Sequence, residues 1–353
     1  MIESHRQVLR EDPRRWLVTG AAGFIGSHLL QFLLEHDQRV VALDDFSSGK
    51  RENLAAVEAA VGPAAWARFT LVEGDIRDAA TVDRLVGDVD LVLHQAARGS
   101  VPASLEDPET YHAVNVDGTL NIFHAARRHG TRGVAFASSA AVYGDDPTQP
   151  KVEDSIGRPL SPYAVGKWIT EEYAELYARV YELPVVALRY FNVVGARQDP
   201  AGAYAAVVPK WLERLAAGKA PVIYGDGETS RDFCPVANIV QANVLAALRA
   251  AKLRGRVYNI ALGQRTSLLE LERILREGMA ARGAPCADLR PVHEDFRAGD
   301  IRHSHASIDR AKAELGYDPQ QDLATGLDAT MDATMDAVVG DATVAATRRA
   351  TAG

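Results

Sequence analysis

Tyr163 and Lys167 lie four residues apart and are the pair in this sequence best suited to acid–base chemistry. A helix places residues four apart on one face, so the phenol and the ammonium are expected to be neighbours. A nearby positive charge favours phenolate, and we therefore expect Lys167 to lower the tyrosine pKa from its ordinary value of about 10. Such a phenol can take a proton from a hydroxyl group and return it. On an ordinary helix the same pair is a half-buried ring and a solvated charge. The other motifs of the sequence therefore decide whether the pair is catalytic.

A glycine-rich turn precedes the first predicted helix. Gly20, Gly23 and Gly26 stand between a predicted strand at 16–19 and a predicted helix at 24–35, with spacing G-x-x-G-x-x-G. Glycines there permit a tight turn and close approach of a pyrophosphate, and the helix N-terminus offers free N–H groups to an anion. Asp44 ends the second predicted strand, where a carboxylate can accept a hydrogen bond from an adenosine ribose and repel a 2′-phosphate. The pattern therefore favours an NAD site over an NADP site. The alternative interpretation of the glycines is a strand–helix turn that binds no ligand.

Two later segments fit the same cofactor site. Asp75 and Ile76 follow the third predicted strand and could approach adenine. Gln95, Ala96 and Ala97 follow the fourth, where small residues let a cofactor pass close to the backbone. His94 directly precedes them, and at the end of a buried strand we interpret it as a structural, hydrogen-bonded histidine rather than an acid–base group.

The periodicity of the chain predicts an α/β fold. Continuous apolar strands are predicted at 16–19, 39–43, 69–72, 91–94, 133–137 and 185–190. Helices are predicted between them at 24–35, 79–86, 108–129 and 162–181. This alternation is typical of a Rossmann-like, doubly wound parallel sheet covered on both faces.

After residue 190 the pattern predicts a smaller mixed α/β domain that caps the carboxyl ends of the sheet. Its predicted helices lie at 203–217, 236–249, 267–282 and 308–315, and its strands at 221–224, 257–260 and 289–293. We predict an N-terminal extension at 1–14, an NAD-binding domain at 15–190 with 236–264 packing back onto it, a substrate-binding domain at 191–235 and 265–325, and a low-complexity tail at 326–353.

Composition excludes several classes of protein. The 353 residues are 47% hydrophobic and 24% charged, with a net charge of −8 and no dense basic tract that would bind nucleic acid. The two cysteines, Cys234 and Cys286, fit a reducing compartment and give no zinc spacing, so no metal is expected. No stretch approaches the ~18 apolar residues of a membrane span, and residues 1–15 lack a secretory apolar core. We expect a cytoplasmic protein that does not bind membranes.

Taken together, these motifs resemble the extended short-chain dehydrogenase/reductases over residues 16–317. The resemblance rests on residues 20–26, Asp44, 94–97, 138–139, the Tyr163/Lys167 pair and 189–192, in that order and spacing. Segments 99–102, 203–207, 225–233 and 296–300 are similar to the UDP-N-acetylglucosamine 4-epimerase branch of the UDP-hexose 4-epimerases. Two features depart from the branch: Ala141 replaces a hydroxyl residue found in many relatives, and the tail after about residue 327 does not match.

The resemblance implies a role for each matching residue. Ser139, Tyr163 and Lys167 would be the catalytic residues, with Ser138 able to replace Ser139. The residues implied for NAD are Gly20, Gly23, Phe24, Ile25, Gly26, Asp44, Asp75, Ile76, Gln95, Ala96, Ala97, Tyr163, Lys167 and Tyr190. Those implied for the UDP-sugar are Ser100, Ser139, Tyr163, Asn192, Ala206, Val207, Tyr224, Arg231, Arg297, Asp300 and Ser304. Within this set Arg231 and Arg297 would hold the diphosphate, a role that suits planar, permanently charged donors, and Asp300 would hold the uridine ribose.

The implied reaction is NAD-dependent interconversion of UDP-GlcNAc and UDP-GalNAc through a 4-keto sugar, with UDP-Glc and UDP-Gal as further candidate substrates. Tyr163 would remove the proton of the sugar 4-hydroxyl while hydride leaves C4, and the hydride would return to the opposite face after the keto sugar turns over. Ser304 leaves room for a 2-N-acetyl group that a bulky aromatic would crowd, and Ser100 could add a hydrogen bond to it. Relatives are commonly homodimers through a four-helix bundle, to which 108–129 and 162–181 could contribute.

Three other functions remain open. A 4,6-dehydratase of the same family would need Asp-Glu after the triad serine, where this chain has Ala140 and Ala141. A UDP-uronic acid 4-epimerase or decarboxylase would need a group for a carboxylate, and nothing near Ser100 or Ser304 supplies one. A catalytically silent NAD-binding regulator would not need Ser139, Tyr163 and Lys167.

Overall fold

A computed structural model describes residues 9–200, 206–296 and 301–351. Its central feature is a sheet of seven strands: β1 (Arg15–Thr19), β2 (Arg39–Asp44), β3 (Phe69–Glu73), β4 (Leu91–His94), β5 (Gly133–Ser139), β6 (Val185–Tyr190) and β11 (Val257–Ile260). Their order in the sheet is β11-β6-β5-β4-β1-β2-β3, and every neighbouring pair is parallel. The predicted Rossmann-like fold is confirmed.

Helices cover both faces of this sheet, and apolar cores lie between them and the strands. They are α1 (Phe24–Glu35), α2 (Arg51–Trp66), α3 (Ala79–Val86), α4 (Val101–Glu106), α5 (Pro108–His112), α6 (Gly118–His129), α7 (Pro162–Tyr181) and α9 (Val236–Arg249). Four of them begin with a serine or aspartate side chain that accepts backbone N–H groups: Asp78 before α3, Ser100 before α4, Asp107 before α5 and Ser161 before α7.

The observed helices differ from the predicted ones in two places. The predicted helix at 108–129 is interrupted by a π-helical turn, Ala113–Asp117, between α5 and α6. Helices α2 and α4 were not predicted. Helix α2 carries a non-helical Gly62 before Pro63, and its buried residues all lie in its first two turns, so it shows no sustained apolar face for a pattern to detect.

The remaining residues form a smaller region with short strands. Its strands are β7 (Val193–Val194), β8 (Val222–Tyr224), β9 (Ser230–Arg231), β10 (Cys234–Pro235), β12 (Thr266–Ser267), β13 (Val292–Glu294) and β14 (His303–Ser304). Its helices are α8 (Val207–Ala216), α10 (Leu268–Ala281) and α11 (Leu323–Thr351), with a π-helical turn at Ala311–Leu315. A third apolar core holds this region together, with Trp211, Leu271 and Leu275 at its centre.

Helix α11 begins before the low-complexity segment and continues through it. Leu327 and Met331, which belong to that segment, are buried in the third core. A domain boundary at residue 326 would therefore divide one packed helix. Within the described residues, no helix combines the length and the apolar character needed to cross a membrane.

Candidate active site

The glycine turn after β1 brings backbone atoms so close together that side chains are excluded. Gly20 has a φ of +69°, and its N–H donates to the Leu43 carbonyl at 2.8 Å. A Cβ on Gly26 would lie 2.0 Å from the Gly20 carbonyl oxygen. Helix α1 starts immediately after Gly23, which has no side chain to cap it. The open helix N-terminus and bare backbone therefore suit a pyrophosphate.

Asp44 lies beside this turn at the carboxyl end of β2. Its two carboxylate oxygens accept the Ala22 N–H at 2.8 Å and the Phe46 N–H at 2.9 Å. Burial raises the pKa of Asp44, while the two backbone donors act in the opposite direction. These bonds fix the carboxylate at the rim of the turn, where an adenosine ribose would lie in a Rossmann-like site.

A cavity of about 370 Å³ extends from this turn along the carboxyl ends of the strands. It is lined by every residue predicted for NAD: Gly20, Gly23, Phe24, Ile25, Gly26, Asp44, Asp75, Ile76, Gln95, Ala96, Ala97, Tyr163, Lys167 and Tyr190. Sequence reasoning missed other lining residues, among them Asn53 in the first turn of α2 and the loop residues Ser47, Lys50, Arg98, Arg197 and Asp199. Of these, Lys50 and Asn53 follow Asp44 closely enough to have been suspected. The cavity thus combines the bare glycine backbone with a carboxylate placed for a ribose, as a dinucleotide site requires.

A second cavity, of about 870 Å³, lies between the sheet and the smaller region. Eight of the residues predicted for the UDP-sugar line it: Ser139, Tyr163, Asn192, Ala206, Val207, Tyr224, Arg231 and Ser304. Ser100 is not among the lining residues, and its hydroxyl caps α4 by accepting the Ala103 N–H at 3.2 Å. Arg297 and Asp300 lie outside the described residues.

Two positive charges of the second cavity carried no sequence signal. Lys210 and Arg214 lie one turn apart on α8 and add two positive charges to the lining. Ala140 and Ala141, in a short 3₁₀ turn after β5, also line this cavity. The position directly after the triad serine therefore presents methyl groups rather than carboxylates.

Tyr163 lines both cavities and so stands where the two meet. Burial raises the pKa of Tyr163, a hydrogen bond with the Ser139 hydroxyl lowers it, and the neighbouring Tyr111 raises it. The expectation that Lys167 lowers this pKa is wrong here. The Lys167 ammonium lies 5.9 Å from the Tyr163 ring centre and donates to the Ala137 carbonyl at 2.7 Å. Desolvation of the phenol therefore dominates.

Lys167 is itself a perturbed group. It is buried, and burial lowers its pKa to about 8, while the Glu171 carboxylate acts in the opposite direction. A lysine with a pKa of about 8 remains mostly charged at pH 7 and loses that charge in mildly alkaline solution.

The two adjacent serines have different partners. Ser138 is buried, and its hydroxyl donates to the Glu171 carboxylate. The Ser139 hydroxyl accepts the Ala141 N–H at 3.1 Å and also interacts with the Tyr163 phenol, whose pKa it lowers. Both serines line the second cavity. Of the two serines left open by the sequence, Ser139 is the one that faces Tyr163.

His94 has the structural environment that its position predicted. Its Nδ1 lies 2.7 Å from the Thr19 hydroxyl and its Nε2 lies 3.0 Å from the Thr119 hydroxyl. Burial lowers its pKa to about 3. The neutral ring therefore bridges two threonines. Among the described residues, no group of His, Cys, Asp and Glu side chains could hold a metal ion.

Comparison with known proteins gives strong matches. The family model for the NAD dependent epimerase/dehydratase family matches residues 16–261. UDP-glucose 4-epimerase of Mycolicibacterium smegmatis is 40% identical over 319 residues, which cover 90% of this chain and 97% of the relative.

Two solved structures have the same architecture. The UDP-N-acetylglucosamine 4-epimerase of Methanobrevibacter ruminantium M1, in complex with UDP-N-acetylmuramic acid, superposes with a TM-score of 0.83 at 37% identity, covering 92% of this chain and 99% of that one. The dTDP-glucose 4,6-dehydratase of Streptomyces venezuelae, solved with NAD, gives a TM-score of 0.78 at 32% identity over 91% and 97% of the two chains.

Proposed function

Because the chain belongs to the NAD-dependent epimerase/dehydratase family, we propose that it is a UDP-sugar 4-epimerase whose substrates include UDP-N-acetylhexosamines. The observation that carries this proposal is the position of Tyr163 between a dinucleotide-shaped cavity and a second, larger cavity. A base at that boundary can reach a sugar hydroxyl while the carbon that bears it faces the cofactor.

The residues around Tyr163 divide the work as follows. Tyr163 takes the proton of the sugar 4-hydroxyl and later returns it, and Ser139 stabilises the phenolate through their hydrogen bond. Lys167 places a buried positive charge behind the ring. NAD, when bound, supplies the acceptor and donor of hydride. Asn192 and Arg231, in the second cavity, hold the UDP while the sugar turns.

Elimination of water is disfavoured by the same geometry. A 4,6-dehydratase needs an acid and a base near C5 and C6 of the sugar, and Ala140 and Ala141 occupy the lining after Ser139. The keto sugar would then have no partner for elimination and would be reduced again, which completes an epimerisation.

The proposal is tested by Tyr163→Phe, with Tyr181→Phe at the exposed end of the same helix as the matched control. Purified protein is incubated with UDP-GlcNAc without added NAD, and the epimers are separated by chromatography. Loss of the base should reduce turnover by at least about 100-fold, while Tyr181→Phe, which lines neither cavity, retains it. Turnover of Tyr163→Phe close to that of the unmutated enzyme would contradict the assignment.

Acceptance of an N-acetyl group is proposed from the small wall of the second cavity. Ser304 and Ala206 both line it, and both side chains are small, which leaves room for a bulky substituent on the sugar. Ser304 is fixed there because β14 pairs with β9, opposite Arg231. Ser100, whose hydroxyl caps α4, takes no part in this proposal.

We also propose a homodimer formed through α7. Its outer face exposes Val165, Trp168, Tyr173, Leu176 and Val180 at helical spacing, an apolar stripe of the kind that monomers rarely leave in water. Light scattering coupled to size exclusion should give twice the chain mass, and Val180→Glu should shift it toward one chain mass. A monomeric unmutated protein would contradict this assembly.

A further inference from the structure

Three consecutive residues at the end of β5 are tied to three side chains of α7 that are spaced four apart. The Ala137 carbonyl accepts from Lys167 at 2.7 Å, Ser138 donates to Glu171, and the Ser139 hydroxyl faces the Tyr163 phenol, whose pKa it lowers. Residues four apart on a helix share one face, so this face of α7 lies along the end of the strand. Tyr163, Lys167 and Glu171 thus form a row of three contacts with β5, of which the last two are hydrogen bonds.

The third contact of this row is anchored more firmly than the other two. Glu171 and Arg189 are each only 4% exposed. Arg189 donates two hydrogen bonds to the Glu171 carboxylate, from Nε to Oε1 at 2.9 Å and from Nη2 to Oε2 at 2.7 Å. Arg189 lies on β6 directly opposite Ser138 on β5, so the ion pair and the Ser138 bond join two strands and one helix at a single point.

The ion pair is itself held from the other side. Arg189 also donates to the Glu153 carbonyl at 3.0 Å, and its guanidinium lies 4.9 Å from the Tyr143 ring centre. A bidentate pair with satisfied outer bonds is rigid, and removal of one partner leaves a buried charge unpaired. A rigid anchor next to the catalytic row is suited to positioning.

We propose that Glu171 is a positioning residue of the active site, which fixes Ser138 and Ser139 against α7 and keeps negative charge beside Lys167. The inference rests on the proposed roles of Ser139, Tyr163 and Lys167. Glu171 lines neither cavity, so it acts through its neighbours and not on the sugar.

The negative charge of Glu171 shifts the pKa values of the neighbouring groups in one direction. Groups with titratable or permanent charge packed around this row are Tyr111, Tyr143, Glu153, Arg189 and Tyr190. His94 also faces Lys167, and burial keeps it neutral. Removal of the Glu171 charge therefore leaves Arg189 as the nearest unbalanced group, and the added positive potential lowers the pKa of both Lys167 and Tyr163.

The test compares Glu171→Gln with Glu172→Gln, the same substitution at the next, exposed residue of α7. Rates of epimerisation are measured from pH 6 to 10, together with KM, bound NAD content and thermal unfolding. For Glu171→Gln we expect kcat to fall at least about tenfold, with KM for the UDP-sugar little changed. Both limbs of its pH profile should move to lower pH by about one unit, and Glu172→Gln should match the unmutated enzyme.

A second variant tests the positioning role if Glu171→Gln does not fold. Ser138→Ala removes one bond of the anchor without creating a buried charge, and should lower kcat severalfold while leaving the pH limbs in place. The positioning role is overturned if the unmutated enzyme is active and Glu171→Gln keeps its kcat and both limbs of its pH profile. If Glu171→Gln is unfolded, the role is overturned when Ser138→Ala keeps its kcat. An inactive unmutated protein would instead overturn the proposed function.

Discussion

The cofactor cavity and the substrate cavity of this protein are constructed in different ways. The first lies along one edge of a continuous parallel sheet, and many of its lining residues lie at strand ends and in turns. The second is assembled from two- and three-stranded pieces and helices far apart in sequence. Strand β9, for example, pairs with β12 and β14, so Arg231 lies beside Thr266 and Ser304.

The difference shows what each ligand demands of the chain. The pyrophosphate turn requires an absence of side chains, which a short glycine motif can encode locally. The wall of the substrate cavity requires side chains from separate segments to be held together. Asp232 helps to do this: its buried carboxylate accepts N–H groups from Leu262 at 2.9 Å, Gly263 at 3.0 Å and Gln264 at 3.2 Å.

The largest effect is expected from Gly26→Ala in the cofactor region. The added Cβ would lie 2.0 Å from the Gly20 carbonyl oxygen. Because this oxygen belongs to the backbone, it cannot move away without distortion of the turn. The turn must open by more than an ångström, so we expect loss of bound NAD and at least a 100-fold fall in epimerisation. The measurement is NAD released from denatured protein, per chain.

Gly166→Ala is the matched control for that prediction. A Cβ there meets the Val116 side chain at 3.6 Å, which is ordinary contact, and Ala favours a helix over Gly. NAD content should be retained. Full NAD content in Gly26→Ala would show that the cofactor region does not depend on its bare backbone.

An intermediate effect is expected from Ser304→Tyr in the substrate region. The larger ring would fill the space beside the sugar, so turnover of UDP-GlcNAc should fall at least about tenfold more than that of UDP-Glc. Ser155→Tyr, at an exposed site outside the cavity lining, controls for the added ring. Equal losses on both substrates would argue against a wall at this position.

The smallest effect is expected from an ion pair that spans the mouth of the cofactor cavity. Lys50, in the loop after β2, lies 2.8 Å from Asp199, and both residues line the cavity. Both side chains are well exposed, so Lys50→Met should speed NAD dissociation by no more than about fivefold, and less at high salt. Stopped-flow displacement of bound NADH measures this rate.

Arg51→Met is the control for the ion pair, because it removes the adjacent positive charge and its bond to Glu73 outside the cavity lining. If both variants release the cofactor equally fast, a general loss of charge explains the effect and the bridge does not.

The two regions were also unequally predictable. The sheet strands and α1, α3, α7 and α9 follow from apolar runs and short-range signals, since their buried residues are close neighbours in sequence. The π-helical turn at Ala113–Asp117 was not foreseen, because Asn115 there is fixed by bonds with the Arg98 backbone, 17 residues away. The buried part of α11 was missed for the same reason: its partners lie on α8 and α10.

The sequence by itself determined the glycine turn, Asp44 and the Tyr163/Lys167 spacing, because each depends on backbone geometry or on residues one helical turn apart. Only the tertiary structure decided that Ser138 turns to Glu171 while Ser139 faces Tyr163, since that depends on Arg189 from a neighbouring strand. It also reversed the expected pKa shift of Tyr163. A neighbour in sequence supplies a charge, but the desolvation that outweighs it comes from everything packed around the ring.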